Sequence, residues 1–311
     1  MYFNNDVTLL SREQVFGNQK IDVTEKTDLK CAVSDFAILS GAYVAKWFRV
    51  DGDESLRGRT GVWYLSSAND SGDVHVVGEA GRDSAIYADN RFACIRPILP
   101  LSNVSLSGIK RRDGFLEVAY GEYPQYAVNS NLGRMLEHSF NTGFLKRTGK
   151  TYTTDSKSVD ESSEKFASVQ HEEFEFNGKR YVRVKSNVCG ETQELSNGVK
   201  VQSGMYVWVE VSPIKWIVDE SAKMLVSKTL LVAGVRFCDL GQYNGNFKST
   251  EMYHYLNTYF IKDMISSNVK QLTQEEKKKE LEELKETIVN QVATSTDRDI
   301  NNYDDLGMNK R

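Results

Sequence analysis

Long apolar segments are missing from this 311-residue sequence, and no run approaches the roughly 18 residues that a membrane-spanning helix requires. The first ten residues, MYFNNDVTLL, also lack the basic and apolar regions of a secretory signal peptide. These two absences predict a chain that stays in the cytoplasm and has no membrane partner.

Cysteine and histidine are also scarce, and neither is spaced for metal binding. The four cysteines form no zinc or redox motif, and the four histidines form no HxH or HExxH pattern. We therefore predict no metal and no cofactor, and we expect buried thiols, with a disulfide as the minority alternative. Segment 69–73 (NDSGD) could hold calcium, although the same residues favour a plain turn. The residues concerned are Cys31, Cys94, Cys189, Cys238, His75, His138, His171 and His254.

The balance of charge is slightly acidic, with 39 Lys and Arg residues against 43 Asp and Glu residues. A net charge of −4 does not attract phosphates, so we expect no nucleic-acid partner. The sequence shows no recognisable nucleophile with a neighbouring base. The glycine-containing segment 241–245 is not followed by the GK[ST] of a phosphate loop. We therefore expect that the protein is not an enzyme.

The clearest structural signal is an antiparallel β meander over residues 61–101. Four short runs, 62–65, 74–77, 84–88 and 92–95, alternate between apolar and polar residues, and turn residues separate them. Pro97 ends the pattern, because proline cannot donate a hydrogen bond to a central ladder. The alternation predicts one buried face and one exposed face.

Shifts in composition divide the chain into a first part, 1–101, a polar linker, 102–114, and a second part, 115–265. A charged helix is predicted over 270–293, and a disordered tail over 294–311. The helix has only a narrow apolar seam, so it either docks on its own chain or joins copies of the chain in an oligomer.

Local motifs predict several further elements. Ser11 and Gln14 have the spacing of a helix-capping box, and residues 28–44 show helical periodicity. The remaining predictions are helices over 131–144 and 251–265, hairpins at Asn177-Gly178 and Asn197-Gly198, strands on either side of Pro213, and a mobile surface loop over 150–168.

Short motifs in both parts resemble those of a bacterial domain family of uncharacterised function. The family patterns are fLLS-x-E, W-W-L-R-S, V-x-x-x-G and G-V-R-P-A-L in one half, and fG-x-YPQ, epI-x-W-x-V-L-d and w-LN-x-x-F in the other. Their counterparts, in chain order, are VTLLSRE (7–13), WYLSS (63–67), VVG (76–78), CIRPIL (94–99), YGEYPQ (120–125), PIKWIVD (213–219) and YLNTYF (255–260).

That family in turn resembles the C-type-lectin-like fold of formylglycine-generating enzymes and of the variable proteins of diversity-generating retroelements. The resemblance implies an α+β fold in which helices flank an antiparallel meander that displays ligand-contacting residues. The usual closing half comes first in this chain, so we predict two interdependent parts. Formylglycine-generating activity is not expected, because it needs paired cysteines and the meander holds only Cys94.

These observations predict a non-catalytic module that binds a protein or a glycan on the exposed face of the meander, in the manner of a diversified recognition protein. The alternative is a structural or assembly component of a phage or phage-like particle, which would be associated with the virion. The predicted ligand-binding residues are Tyr64, Ser66, Asn69, Asp70, His75, Arg82, Asp83, Tyr87, Asp89, Asn90 and Arg91, a palette typical of adaptable binding surfaces. The predicted structural residues are Trp63, Arg96, Pro97 and Trp216.

Overall fold

The computed structural model describes residues 6–69, 71–101, 110–112, 114–157 and 165–265, with only the backbone described for 110–112. Over these residues the protein has an α+β fold that consists mostly of antiparallel strands, with few helices. The predicted helix over 270–293 and the predicted tail over 294–311 lie outside the described residues, and so does most of the predicted linker.

The largest sheet has eight strands, and every neighbouring pair in it is antiparallel. Its strands are β7 (Ile98–Pro100), β8 (Lys110–Arg112), β9 (Phe115–Ala127), β10 (Lys146–Asp155), β11 (Ser168–Phe176), β12 (Lys179–Lys185), β15 (Tyr206–Asp219) and β16 (Met224–Ser227). Six of them follow the order β10-β11-β12-β15-β16-β7, while β9 pairs with β15 and β8 with β9. The strand from the first part, β7, therefore completes a sheet built by the second part.

Two predictions about this sheet are confirmed in position, and one is wrong. Asn177 and Gly178 join β11 to β12 with φ angles of 51° and 74°, as a two-residue type I′ turn requires. The runs on either side of Pro213 are one long strand, β15, which tolerates the proline at an irregularity in its pairing with β9. Residues 150–155, predicted as part of a mobile loop, lie in β10, because pairing with β11 outweighs their low hydrophobicity.

The predicted meander forms a separate sheet of three strands rather than four. Its strands are β4 (Trp63–Ala68), β5 (Val74–Val77) and β6 (Asp83–Ile86). The fourth predicted run is not a strand of this sheet, because Cys94 makes only an isolated parallel bridge to Trp63 of β4, and the next residue, Ile95, makes an antiparallel bridge to Val232. This run therefore connects the meander to the second part of the chain.

A third sheet, of order β17-β1-β3-β2, lies beside the meander. It consists of β1 (Ala32–Val33), β2 (Val44–Arg49), β3 (Arg59–Gly61) and β17 (Thr229–Leu230), and β1 pairs in parallel with β17. The long helix predicted over 28–44 is wrong, since only Asp35–Leu39 is helical. Strand pairing fixes the residues before it, and Ser34 caps the helix by accepting a hydrogen bond from the backbone of Ala37 at 3.1 Å.

The helices are short. They are α1 (Arg12–Val15), α2 (Asp22–Lys26), α3 (Asp35–Leu39), α4 (Ser130–Asn141), α5 (Glu251–Tyr255) and α6 (Ile261–Met264), and a π-helical turn (Leu256–Phe260) joins α5 to α6. The capping box of Ser11 and Gln14 at the start of α1 is confirmed, as is helix over most of 131–144 and 251–265. No helix in the described ranges is long and apolar enough to cross a membrane.

One continuous hydrophobic core contains residues from both predicted parts. Trp63 and Ile95 of the first part belong to the same buried cluster as Trp216 and Phe260 of the second. A smaller cluster lies under α4 and includes Trp208. The core is therefore built by residues from distant stretches of sequence. That neither part folds alone stays a prediction.

Candidate binding groove

Two of the residues predicted to face a ligand lie in the interior instead. The Tyr64 side chain has no solvent exposure, and its hydroxyl donates a hydrogen bond to the carbonyl oxygen of Asn90 at 2.5 Å. Arg91 is equally buried and forms an ion pair with Asp155 of β10. The prediction of exposure was wrong because Trp63, Tyr64 and Leu65 are all covered, so β4 begins with two buried faces rather than one.

Most of the remaining predicted residues form two separate groups. In the first, Asp83 accepts a hydrogen bond from Nε of Arg12 at 2.8 Å and lies 3.8 Å from Nδ1 of His75. Arg82 is exposed beside this group. Because Arg12 already pairs with Asp83, the group is a surface ion pair in which the carboxylate has a partner.

The second group lies near the loop that follows residue 237. The carbonyl oxygen of Ser66 accepts a hydrogen bond from the Tyr243 hydroxyl at 3.1 Å, and Tyr87 is 66% exposed. Asp89 and Asn90 are half-buried. The structure thus brings some predicted residues into proximity but does not place them around one cavity.

Asn69 has a local role. Its side-chain oxygen accepts hydrogen bonds from the backbone N–H groups of Ser71 at 3.0 Å and Asp73 at 2.9 Å. These bonds close the turn between β4 and β5, as an Asx turn does. Asp70 lies outside the described residues.

The four predicted structural residues are buried in the core. The guanidinium of Arg96 lies 4.9 Å from the ring centre of Trp63, and its Nε donates to the carbonyl oxygen of Ser227 at 3.0 Å. The backbone N–H of Ser227 in turn donates to the carbonyl oxygen of Pro97 at 3.1 Å. Trp216 donates from Nε1 to the carbonyl oxygen of Tyr120 at 2.8 Å.

A concave surface appears elsewhere, beside strand β2. Val44 pairs with Gly61 and Arg49 pairs with Arg59, so that four residues of β2 face a single residue, Thr60, of β3. A bulge of this kind redirects side chains away from the sheet. It presents Trp47, whose side chain is 87% exposed.

Arg49 holds the bulge in shape. Its guanidinium NH1 donates to the carbonyl oxygens of Lys46 and Phe48, each at 3.0 Å. These two carbonyls would otherwise lack ladder partners, because the bulge interrupts the pairing with β3. Phe48 and the preceding Tyr43 are each 43% exposed, so three aromatic side chains surround the bulge.

The groove beside this bulge has a volume of about 590 Å³. Its walls are β2, the turn at Glu79 between β5 and β6, and the hairpin of β13 (Gln193–Glu194) and β14 (Lys200–Val201). A groove of this size accommodates a small ligand or a short stretch of chain. It lies next to the meander but does not use the meander's predicted face.

Arg59 is the most deeply buried cation in the lining of the groove, with 6% of its surface exposed. Its guanidinium donates to the carbonyl oxygens of Leu56 and Glu194. Burial lowers the pKa of Arg59 from its usual value, since desolvation disfavours the charged form. In the described part of the chain, no carboxylate lies within ion-pair distance of this guanidinium.

The charge of the lining differs in sign from that of the whole chain. Four cations line the groove, against two carboxylate residues, whereas the full sequence carries a net charge of −4. The lining cations are Lys46, Arg49, Arg59 and Lys200, and the acidic residues are Glu79 and Glu194. A concave site lined by one sign of charge concentrates ligands of the opposite sign.

Sequence reasoning missed this groove because segment 46–49 (KWFR), between the predicted helix over 28–44 and the meander, received no interpretation. Two adjacent aromatic residues between two cations fit neither the alternation of a strand nor the stripe of a helix, which is the signal that could have identified the bulge. The walls come from distant stretches, and nothing in the sequence pairs β2 with the hairpin around Asn197.

Other chemistry has little support in the described residues. No group of three or more His, Cys, Asp or Glu side chains there could hold a metal ion. Cys31, Cys94 and Cys238 are buried, Cys189 is half-buried, and no disulfide joins these four cysteines. Burial raises the pKa values of Cys31 and Cys94, which makes both thiols less reactive.

Comparison with known proteins adds no relative to this picture. No protein-family model, no curated protein and no solved structure matches this chain. The family resemblance therefore stays a prediction from the motifs of the sequence.

Proposed function

We propose that this protein is a non-catalytic binding module that holds its ligand in the groove beside β2. The observation that carries the proposal is Trp47, an almost fully exposed indole on a bulged edge strand at the mouth of a groove of about 590 Å³. Large exposed aromatic side chains that surround a concave site mark binding surfaces rather than ordinary solvent-facing positions.

The proposal moves the ligand site from the face of the meander to its border. Glu79, between β5 and β6, lines the groove, and Thr60 of β3 donates from its hydroxyl to the carbonyl oxygen of Glu79 at 2.7 Å. The ring centre of Tyr43 lies 6.1 Å from that of Phe92. The meander thus supports one wall of the groove and fixes its position relative to β2.

We also propose that the fold is of the C-type-lectin-like class that the motifs resemble. The support is that residues of separate motifs contact one another. Gln125 of the YPQ motif donates from Nε2 to the carbonyl oxygen of Pro213 at 3.0 Å, and Trp216 donates to the carbonyl oxygen of Tyr120. Motifs that meet in space are those whose residues a family would need together.

Two further contacts involve the first and the last of these motifs. Asn257 forms two hydrogen bonds with the backbone of Val7, accepting from its N–H at 2.8 Å and donating to its carbonyl oxygen at 3.0 Å.

Gly121 has a φ of 66°, and a Cβ atom there would lie 2.8 Å from Cε of Met264. Only glycine fits this close approach without strain, which accounts for the glycine of the fG-x-YPQ motif.

The test uses arrays of proteins and glycans probed with the wild-type chain and three alanine variants. Trp47→Ala should abolish binding, because an aromatic anchor at a binding site typically contributes about 2 kcal/mol or more. Tyr87→Ala tests the tip of the meander, and Phe144→Ala is the matched control, since that ring is 83% exposed and does not line the groove.

The intrinsic fluorescence of the protein gives a second readout. Of the four tryptophans, Trp63, Trp208 and Trp216 are buried, so a neutral quencher such as acrylamide should reach mainly Trp47. A ligand in the groove should protect this residue from quenching. Binding that survives Trp47→Ala but is lost with Tyr87→Ala would place the site on the meander and refute the proposal.

A further inference from the structure

We propose that the ligand of the groove is an acidic segment of a protein partner, which places a carboxylate against Arg59 and an apolar side chain against Trp47. The inference rests on the proposed function of the groove and adds the chemical class of the ligand. Three features of the described residues carry it: a buried cation with no carboxylate at ion-pair distance, an excess of positive charge, and an open strand edge.

The first feature is the guanidinium of Arg59. It is more than nine-tenths buried, and its hydrogen bonds go to two carbonyl oxygens, while the carboxylates of Glu194 and Asp35 act on it from beyond ion-pair distance. A buried cation that no carboxylate contacts directly is unfavourable, and a carboxylate that reaches it gains a charge-assisted hydrogen bond. The planar fork of arginine also suits two-point contact with a carboxylate.

The second feature is a pair of exposed lysines in the lining of the groove. Lys46 and Lys200 are exposed on opposite walls, one on β2 and the other on β14. Among the described residues neither lysine has an ion-pair partner. Several carboxylates in a row would therefore find more partners along the groove than cations would, because the lining holds four cations and only Glu79 and Glu194 as acids.

The third feature favours a polypeptide over a sugar. Strand β2 borders the groove and is the last strand of its described sheet, where it pairs only with β3. An open strand edge offers backbone N–H and C=O groups at the spacing of an extended peptide. Tryptophan, tyrosine and arginine, as in Tyr43, Trp47 and Arg49, are also the residues most enriched among the anchors of protein–protein interfaces.

The experiment uses synthetic peptides of about ten residues, a length that spans a strand edge. One probe alternates Glu with Leu, and its matched controls carry Gln or Lys in place of every Glu. A uronic-acid oligosaccharide supplies carboxylates without a peptide backbone. Binding is measured by fluorescence anisotropy and by protection of Trp47 from acrylamide. The Glu peptide should bind at least about tenfold more tightly than either control peptide.

Charge reversal of the exposed lysines tests the site without disturbing the core. Lys46→Glu and Lys200→Glu should each weaken binding of the Glu peptide about tenfold, and the double variant should instead favour the Lys peptide. Lys215→Glu is the control, because Lys215 is exposed on β15 and does not line the groove. Arg59→Met should abolish binding; if that variant unfolds, the two lysine variants still decide the question.

The outcomes separate this inference from the proposed function. If the Gln or Lys peptide binds as tightly as the Glu peptide and Trp47 is still protected, the groove binds ligands but the inferred class is wrong. Binding of the oligosaccharide without binding of the Glu peptide would likewise overturn the inference alone. If neither the peptides nor the arrays show any binding that depends on Trp47, both proposals fail.

Discussion

The ion pair between Arg91 and Asp155 gives the sharpest prediction about stability. Both side chains are fully buried, and they join the first part of the chain to β10 of the second. Arg91 also donates to the carbonyl oxygen of Gly234 at 3.2 Å. In Arg91→Met the carboxylate of Asp155 would keep, among the described residues, the backbone N–H groups of Lys157 at 3.0 Å and Ala167 at 3.1 Å. The positive charge of Arg236 would also still act on it.

Two backbone donors and the charge of Arg236 do not replace the lost ion pair of a carboxylate that has no access to water. Removing one partner of a buried ion pair typically lowers the free energy of unfolding by about 3–5 kcal/mol, because the other charge remains buried and uncompensated. We expect a loss of this size for Arg91→Met in urea denaturation at neutral pH. The double variant Arg91→Met, Asp155→Leu should recover much of it, since it buries no charge.

The control is an ion pair on the surface of the protein. Lys179 and Glu210 are 3.0 Å apart, with side chains that are 62% and 38% exposed. Lys179→Met should therefore change the free energy of unfolding by less than about 1 kcal/mol. If Arg91→Met changes stability no more than Lys179→Met does, the pair does not hold the two parts together and the reasoning is wrong.

Three further predictions concern pH and folding. Burial raises the pKa of Asp263 to about 6 from 3.8, so its ionisation destabilises the folded state as pH rises through 6. Asp263→Asn should therefore add about 2–3 kcal/mol to the free energy of unfolding at pH 8 and little below pH 4. Urea melts across that pH range measure this difference. Burial lowers the pKa of His171 to about 4, so protonation of the unfolded chain removes stability as pH falls from 6.5 to 4. In the Asp263→Asn background, His171→Gln should therefore make the free energy of unfolding less dependent on pH over this range. The fragment 1–110 should not unfold cooperatively when expressed alone, since its core residues pack against the second part; a cooperative melt would contradict this.

Local signals in the sequence predicted local structure well. The Asn177-Gly178 turn and the capping box of Ser11 need only neighbouring residues to form, so their patterns were sufficient. Residues 28–44 follow a helical period, yet pairing with β3 and β17 places Ala32 and Val33 in a strand. That pairing spans nearly two hundred residues, and no local pattern contains it.

The candidate site was hardest to predict for a related reason. Alternation along a strand shows which face a side chain occupies, but it does not show how many faces are covered. Tyr64 and Arg91 have the polar groups of a binding surface, and both use those groups inside the protein, on Asn90 and Asp155. Trp47 has a large apolar side chain of the kind expected in a core, but the bulge in β2 exposes it to solvent.

The clasp between Asn257 and Val7 has a consequence for how this arrangement of motifs could arise. It brings together two points that are 250 residues apart in sequence. Two distant points of a chain that meet in space can be linked to each other, and the chain can be cut at another position with its contacts retained, as in circularly permuted proteins. The reversed order of the two halves that the motif resemblance predicts is the order that such a permutation would produce, and the shared core would be retained.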